Sequence, residues 1–249
     1  MIDIHTHLLP DVDDGSPSYD VSVAVLERFV AQGVSILVCT PHLNASQAGT
    51  APFEEHALIL QELRRRVPAD LELQLGWEIM LDVPGVDLTA PGLSLGDSDA
   101  VLVEFTRGGV PRDATAELRR ILRSGRTPVL AHPERYFGCT VELVRQWRDL
   151  GIIIQTDASV LLGRGAPSVL ARELLTDGLI DILASDNHGD ERSLESARQW
   201  LVEQELEEHA VLLTRINADC VLNNEEPLPV PPLPPGLFDR FSFRNLFGR

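Results

Sequence analysis

The sequence predicts an α/β fold, a distorted TIM-like barrel of seven strand-then-helix units. Two observations carry this. Short runs of consecutive apolar residues alternate with stretches whose apolar residues recur at helical spacing, and strands apolar on both faces belong to parallel sheets covered by helices. Glu78, Glu104, His132 and Asp186 also stand just past the C-terminal ends of different strands. Polar residues at the carboxyl end of several strands fit a barrel whose active face lies there. An open doubly wound sheet would gather them at a single switch point. No internal repeat is visible.

The elements follow in order. Met1-Ile2-Asp3-Ile4-His5 reads as a strand running into an acidic loop closed by Gly15. Tyr19 to Gln32 carries Val21, Val25, Phe29 and Val30 at helical spacing, and Gly33 ends it. Strands are expected at Ser35–Cys39, Leu71–Leu75, Ala100–Val103, Thr127–Ala131, Ile152–Gln155 and Ile180–Ala184. Helices are expected at Phe53–Arg66, Ala114–Arg123, Val141–Leu150, Pro167–Thr176, Ser193–Glu207 and Thr214–Asn223. From Glu225 the composition changes. PLPVPPLPPG is a polyproline II spacer, either strapped along the outside or free as an arm, and the Phe238 to Phe247 segment is too apolar to stay solvated easily. Two regions are therefore expected, 1–224 and 225–249.

Composition narrows the function. With 44% hydrophobic and 24% charged residues the chain is ordinary for a globular protein. A net charge of −17 argues against nucleic acid or an anionic membrane as main partner. No apolar run is long enough to insert into a bilayer. A strand that begins at Met1 leaves no room for a signal peptide, so the expected location is cytoplasmic. Cys39, Cys139 and Cys220 are odd in number and widely spaced, which suggests neither a disulfide framework nor a thiolate zinc site.

His5 and His7 carry the first chemical signal. Positions i and i+2 of an extended chain face one side, so both rings can reach one metal ion, with Asp11, Asp13 and Asp14 adding hard oxygen atoms nearby. His42, His132 and His188 likewise sit at strand-to-loop junctions, whereas His56 and His209 fall on helices and read as surface residues. The collected set is His5, His7, Asp14, His42, Glu78, Glu104, His132, Asp186 and His188. Nitrogen and oxygen donors without thiolate suit zinc, manganese or iron. Nine ligands exceed one ion, and carboxylates able to bridge point to two or three ions sharing a site, the arrangement used for phosphoester hydrolysis.

His5-Thr6-His7, Thr40-Pro41-His42, His132-Pro133-Glu134-Arg135-Tyr136 and Ser185-Asp186-Asn187-His188 resemble the motifs of the PHP (polymerase and histidinol phosphatase) superfamily. The opening MIDIHTHLLPDVDDGS, with HPERY and SDNH, resembles more narrowly its bacterial protein-tyrosine phosphatases of capsule and exopolysaccharide loci. The resemblance covers residues 1 to 224 and implies a barrel of the PHP type with three divalent ions, often manganese. By motif, His5, His7, Glu78 and Asp186 would hold one ion. Glu78 would bridge to a second with Glu104 and His132, and Asp14, His42 and His188 would hold the third. Arg135 and Arg192 would bind the phosphate; a structural salt bridge is the alternative for Arg135, a solvated helix-start charge for Arg192. Asp14 or His42 would protonate the leaving tyrosinate.

The implied substrate is a phosphotyrosyl protein, the tyrosine-rich tail of a kinase that controls polysaccharide assembly, with oligomer formation left open. A histidinol-phosphatase-like small-molecule phosphomonoesterase, a nucleic-acid phosphodiesterase and a catalytically silent binding module are the alternatives. Cys139-x5-Arg145 matches the bare spacing of cysteine-dependent phosphatases. The intervening TVELV is no glycine-rich phosphate loop, and Gly108-Gly109 reads as a turn, so Cys139 is not expected to be a nucleophile.

Overall fold

The computed structural model describes residues 1–106 and 108–233. The Phe238 to Phe247 segment lies outside the described residues. The fold is α/β, and every strand pairing is parallel. One sheet has the order β1 (Ile2–Thr6), β2 (Ile36–Cys39), β4 (Glu72–Leu75). The other runs β3 (His42–Asn44), β5 (Glu78–Met80), β6 (Ala100–Glu104), β7 (Thr127–Ala131), β8 (Ile153–Asp157), β9 (Ile182–Ala184).

The described residues thus form nine strands where the sequence predicts seven, and the difference is two interruptions. At Thr40-Pro41 the chain breaks between β2 and β3, where proline has no N–H to give a ladder. At Gly76-Trp77 it breaks between β4 and β5. A Cβ on Gly76 would stand 2.8 Å from Leu95 Cδ2, 3.2 Å from Val38 Cγ1 and 3.3 Å from Leu95 Cα, so a larger residue there requires the Leu95 side chain to shift. Backbone bonds from Gly76 to Cys39 (2.9 Å) and from Glu78 to Pro41 (3.1 Å) continue across the break. Glu78 therefore opens a strand of its own and does not end the one before. On the far side, Asp186 N–H donates to His5 O (3.0 Å) and His7 N–H to Asn187 O (2.8 Å), joining the end of β1 to the loop after β9.

The helices are α1 (Tyr19–Ala31), α2 (Phe53–Arg64), α3 (Ala114–Arg123), α4 (Val141–Asp149), α5 (Ala158–Leu162), α6 (Ala166–Thr176), α7 (Leu194–Glu203), α8 (Glu207–Val211) and α9 (Asn217–Leu222). Ser18, Thr140 and Ser193 cap α1, α4 and α7 by accepting from N–H groups of the first turn. The helix expected from Ser193 to Glu207 stops at Glu203, and Glu205 adopts a left-handed φ of 62° before α8 starts. A π-helical stretch, Leu212–Ile216, precedes α9. Among the described residues no helix is long and apolar enough to cross a membrane.

The strands are near-continuously buried, as two-sided coverage requires: β1 and β8 have no exposed residue. The large side chains of Trp77, Trp147, Phe29 and Phe105 fill the core between strands and helices. Residues 225–233 lie against the body. Val230 and Leu233 are buried, Leu233 N–H donates to Thr176 O (2.8 Å), and Asn217 pairs with both backbone groups of Leu228. This part of the proline-rich segment is strapped down. It also buries His209, whose Nε2 lies 2.8 Å from Pro231 O. His209 and His56 are both buried, contrary to the surface positions expected for them, because the strap covers one and Trp77 stacks on the other at 4.7 Å.

Candidate functional site

All nine predicted metal-ligating residues converge in one cluster, at or just past the carboxyl ends of β1, β6, β7 and β9 and at the first residues of β3 and β5. Parallel register does the alignment. His42 pairs with Glu78 across β3 and β5, and Glu104 follows one strand further on, opposite Met80. His5 and His7 leave the end of β1 on one face. His132 and Asp186 leave β7 and β9 through left-handed backbone, with φ of 35° and 48°. Positive φ is uncommon outside glycine, though His and Asp are among the residues that adopt it most readily, and such backbone clusters at functional sites where the surroundings hold it.

Glu78 is the centre. It is buried, with Oε1 2.7 Å from His132 Nε2 and 3.3 Å from His5 Nε2, and Oε2 2.9 Å from His42 Nδ1 and 3.3 Å from His7 Nε2. Asp186 Oδ1 lies 3.4 Å from His5 Nε2, 3.3 Å from His7 Nε2 and 3.5 Å from His188 Nδ1. Asp14 Oδ1 closes the outer edge, 3.2 Å from His42 Nε2 and 3.6 Å from His188 Nε2. Glu104 stands slightly apart, 3.8 Å from His42 and 3.9 Å from His132.

The electrostatics are those of a crowded charge cluster. Burial alone would lower the His5, His7 and His42 pKa values, but the surrounding carboxylates, Glu78 among them, outweigh it and hold all three raised. For His132 the same balance reaches about 9. Burial would raise Glu78 and Asp186, yet the neighbouring imidazoles, with Arg135 beside Asp186, hold both carboxyls below the usual range. Glu104 is raised by burial and by the Glu78 charge. His188 is lowered by burial and by His7.

This donor set fits divalent cations. Ligand atoms lie within 4.8 Å of one another in four groups: His7, Asp14, His42 and His188; His5, Glu78 and His132; His5, His7 and Asp186; and His42, Glu78 and Glu104. Imidazole nitrogens and carboxylate oxygens without thiolate are the ligands of zinc, manganese and iron sites. The groups share His5, His7, His42 and Glu78, and among these Glu78, with two carboxylate oxygens, is the residue able to bridge two ions.

Both arginines reach this cluster. Arg135 Nη2 donates to Asp186 Oδ2 (2.7 Å) and also pairs with Asp157. Arg192 Nη1 lies 3.1 Å from the same Asp186 oxygen, while its Nε pairs with Asp190 (2.8 Å). The salt bridge weighed for Arg135 is real, and its guanidinium nevertheless lines a cavity of about 290 Å³ with Glu104, Phe105, His132 and Tyr136. Arg192 is not a free helix-start charge. A larger cavity, about 650 Å³, opens at the other end of the strands around Asp99, Arg148 and Asp181, away from every group named above.

Residues 1–223 match the family model described as "Capsular polysaccharide synthesis, CpsB/CapC". This chain belongs to the CpsB/CapC family. Among CpsB/CapC relatives, the tyrosine-protein phosphatase CpsB of Streptococcus pneumoniae is 32% identical over 201 residues, 76% of this chain and 83% of that protein. The tyrosine-protein phosphatase YwqE of Bacillus subtilis is 28% identical, covering 100% of this chain and 99% of that one. A crystal structure from work on YwqE and CpsB, described as unique metal-dependent tyrosine phosphatases, superposes with a TM-score of 0.78 at 28% identity, covering 94% of this chain and 99% of that chain.

The CpsB/CapC site also contains residues the sequence reading did not single out. Of the other two aspartates of the acidic loop, named as nearby oxygen donors but not among the nine ligands, Asp13 sits one layer back, its Oδ2 2.7 Å from His7 Nδ1, and Asp11 is exposed with a left-handed φ of 60°. Gln155 and Asp157 at the end of β8 contact His5 and Arg135. Their signal was a polar QTD ending on an apolar strand, at the same end as the other site residues. Cys139 is no part of this site: burial pushes its thiol up to about 12, and Arg145 pairs with Asp177.

Proposed function

We propose that this protein is a metal-dependent phosphomonoesterase that hydrolyses phosphotyrosine on proteins, with the tail of a tyrosine kinase of polysaccharide assembly as its substrate in the cytoplasm. The observation that carries it is the convergence of nine nitrogen and oxygen ligands and two arginines in one cluster, with six of the ligands and Arg135 lining a single cavity. The nine strand segments and the bonds between β1 and the β9 loop support a distorted barrel of the PHP type, closed from β1 through to β9.

Three divalent ions are assigned, manganese first and zinc or iron as alternatives: His5, His7, Glu78 and Asp186 for one; Glu78, Glu104 and His132 for the second; Asp14, His42 and His188 for the third. Ions held there supply an activated water and neutralise charge at phosphorus. The protein's own groups do the rest. Arg135 and Arg192 present guanidinium N–H groups, the donors suited to phosphate oxygens, and Asp186 between them fixes their orientation. Phe105 and Tyr136, rings 5.2 Å apart, wall the cavity with an aromatic surface against which a phenyl ring packs. The Tyr136 hydroxyl donates to Ala131 O (2.9 Å) and accepts from Phe105 N–H (3.1 Å), so it is committed and is not the acid. His42 or Asp14, the most solvent-accessible pair of the cluster, would deliver the proton to the leaving oxygen, whichever of the two is released from the third ion.

Turnover of a phosphotyrosyl peptide, histidinol phosphate and single-stranded DNA by the same preparation tests the reading. Preference for the peptide by at least tenfold in kcat/KM is the expected result. Preference for histidinol phosphate would move the substrate to a small metabolite, and turnover of none with any ion would favour a silent binding role.

A further inference from the structure

We propose that Gln155 and Asp157 are positioning residues that tie the orientation of His5 to that of Arg135, a role that rests on the phosphatase reading above. The two side chains point to one face of β8, i and i+2, and both are fully buried. Gln155 Nε2 donates to Asp157 Oδ1 (3.1 Å), and Gln155 Oε1 lies 2.9 Å from His5 Nδ1. Asp157 pairs in turn with Arg135 Nη2, which donates to Asp186 Oδ2. Asp186 Oδ1 returns to His5 Nε2 at 3.4 Å. The chain closes into a ring.

Hydrogen-bond capacity fixes the direction of every bond in that ring. An ionised Asp157, held against a guanidinium, only accepts, so the amide group facing it is the NH2 of Gln155. The opposite end of the amide is then the carbonyl oxygen, which also only accepts. His5 must therefore carry its proton on Nδ1 and present the Nε2 lone pair to Glu78 and Asp186. An outer residue that sets a ligand histidine's tautomer in this way is worth about 10- to 100-fold in metal affinity. Asp157 is further held by its own N–H, which donates to Glu134 Oε1 (2.9 Å). It thereby gives Arg135 a rigid second anchor besides Asp186, which preorganises the guanidinium for a phosphate.

The test uses the full chain and two readouts that need no turnover: calorimetric Mn²⁺ titration of chelator-treated protein, and inorganic phosphate binding to Mn²⁺-loaded protein. Gln155→Leu is expected to weaken Mn²⁺ by at least tenfold and leave phosphate binding at saturating Mn²⁺ within about twofold. Asp157→Asn, which removes the acceptor that orients the Gln155 amide as well as an anchor of Arg135, is expected to weaken phosphate by at least fivefold and Mn²⁺ by less than Gln155→Leu does. In the Arg135→Ala background, Asp157→Asn should then add nothing to the loss of phosphate, since that loss acts through the arginine. Asp157→Ser takes its place if the asparagine variant does not fold. Equal loss of both ligands in both variants, additivity with Arg135→Ala, or a wild type that binds no phosphate overturns the proposal. A wild type that binds Mn²⁺ and phosphate as described but turns over no phosphotyrosyl peptide contradicts the substrate reading and leaves this one standing.

Discussion

Asp13 Oδ2 stands 2.7 Å from His7 Nδ1 and accepts the backbone N–H of His42 at 3.1 Å, so one oxygen steers groups from two strands into the cluster. His7 must keep Nε2 toward Glu78 and Asp186, and a carboxylate on Nδ1 is the usual means of holding a metal-binding ring that way. Asp13→Ala should lower Mn²⁺ affinity by roughly 10- to 100-fold in a protein that still folds. Calorimetric titration with Mn²⁺ checks it.

The same loop depends on Gly15. A Cβ there would lie 2.2 Å from His7 O and 2.4 Å from His7 Cβ, and neither atom can move without shifting β1. The loop is closed by Ser16 N–H donating to His7 O (2.8 Å), so the approach is fixed. Gly15→Ala should fold, displace Asp13 and Asp14, and lose metal binding more fully than Asp13→Ala. The comparison is again by Mn²⁺ titration, with circular dichroism confirming the fold.

Much of this was legible in the sequence because the ligands sit at strand ends, where a change from apolar to charged residues marks the boundary. The strands Thr127–Ala131 and the helix Ala114–Arg123 match their expected limits for the same reason, since Gly125 and His132 punctuate them. The breaks at Pro41 and Gly76 were less visible, because a parallel strand interrupted for two residues keeps its apolar pattern on both sides. Burial of His56 and His209 was hidden altogether. Each is covered by a segment distant in sequence, Trp77 in one case and the strap at Pro231 in the other. Asp13 and Gln155 show a further limit: spacing identifies groups able to bind metal but does not say which lie one layer behind.

His56 gives a pH dependence whose sign is determined. Burial lowers its pKa below the ordinary 6.5, its Nδ1 has no hydrogen-bond partner among the described residues, and it is stacked on Trp77. The unfolded chain therefore takes up the proton first, so stability is fully present above about pH 6.5 and is lost as pH falls through the lower folded value. His56→Gln removes that contribution. Urea unfolding at about pH 7.5 and about pH 5.5 should show a smaller loss on acidification in the variant than in the wild type; parallel losses would contradict it.

Asn217 anchors the strap. Its amide donates to Leu228 O (3.0 Å) and Asp181 O (2.9 Å) and accepts from Leu228 N–H (2.9 Å), all from a buried position. Asn217→Ala leaves these backbone groups short of partners and should cost about 2–3 kcal/mol, read as a fall in melting temperature of roughly 5–10 °C. Phosphatase activity below the transition should be retained, because the strap lies far from the cluster along the chain and touches none of its residues among the contacts of residues 225–233.

Phosphotyrosine hydrolysis by this chain is expected to depend on ions held by the converged histidines and carboxylates. The most direct measurement is hydrolysis of a phosphotyrosyl peptide by chelator-treated protein, with Mn²⁺, Zn²⁺ or Mg²⁺ restored and His42→Ala in parallel. Activity absent after chelation, regained with Mn²⁺ and lost by at least a hundredfold in His42→Ala is the predicted result. Undiminished hydrolysis after chelation, or a His42→Ala variant as active as the wild type, would contradict it.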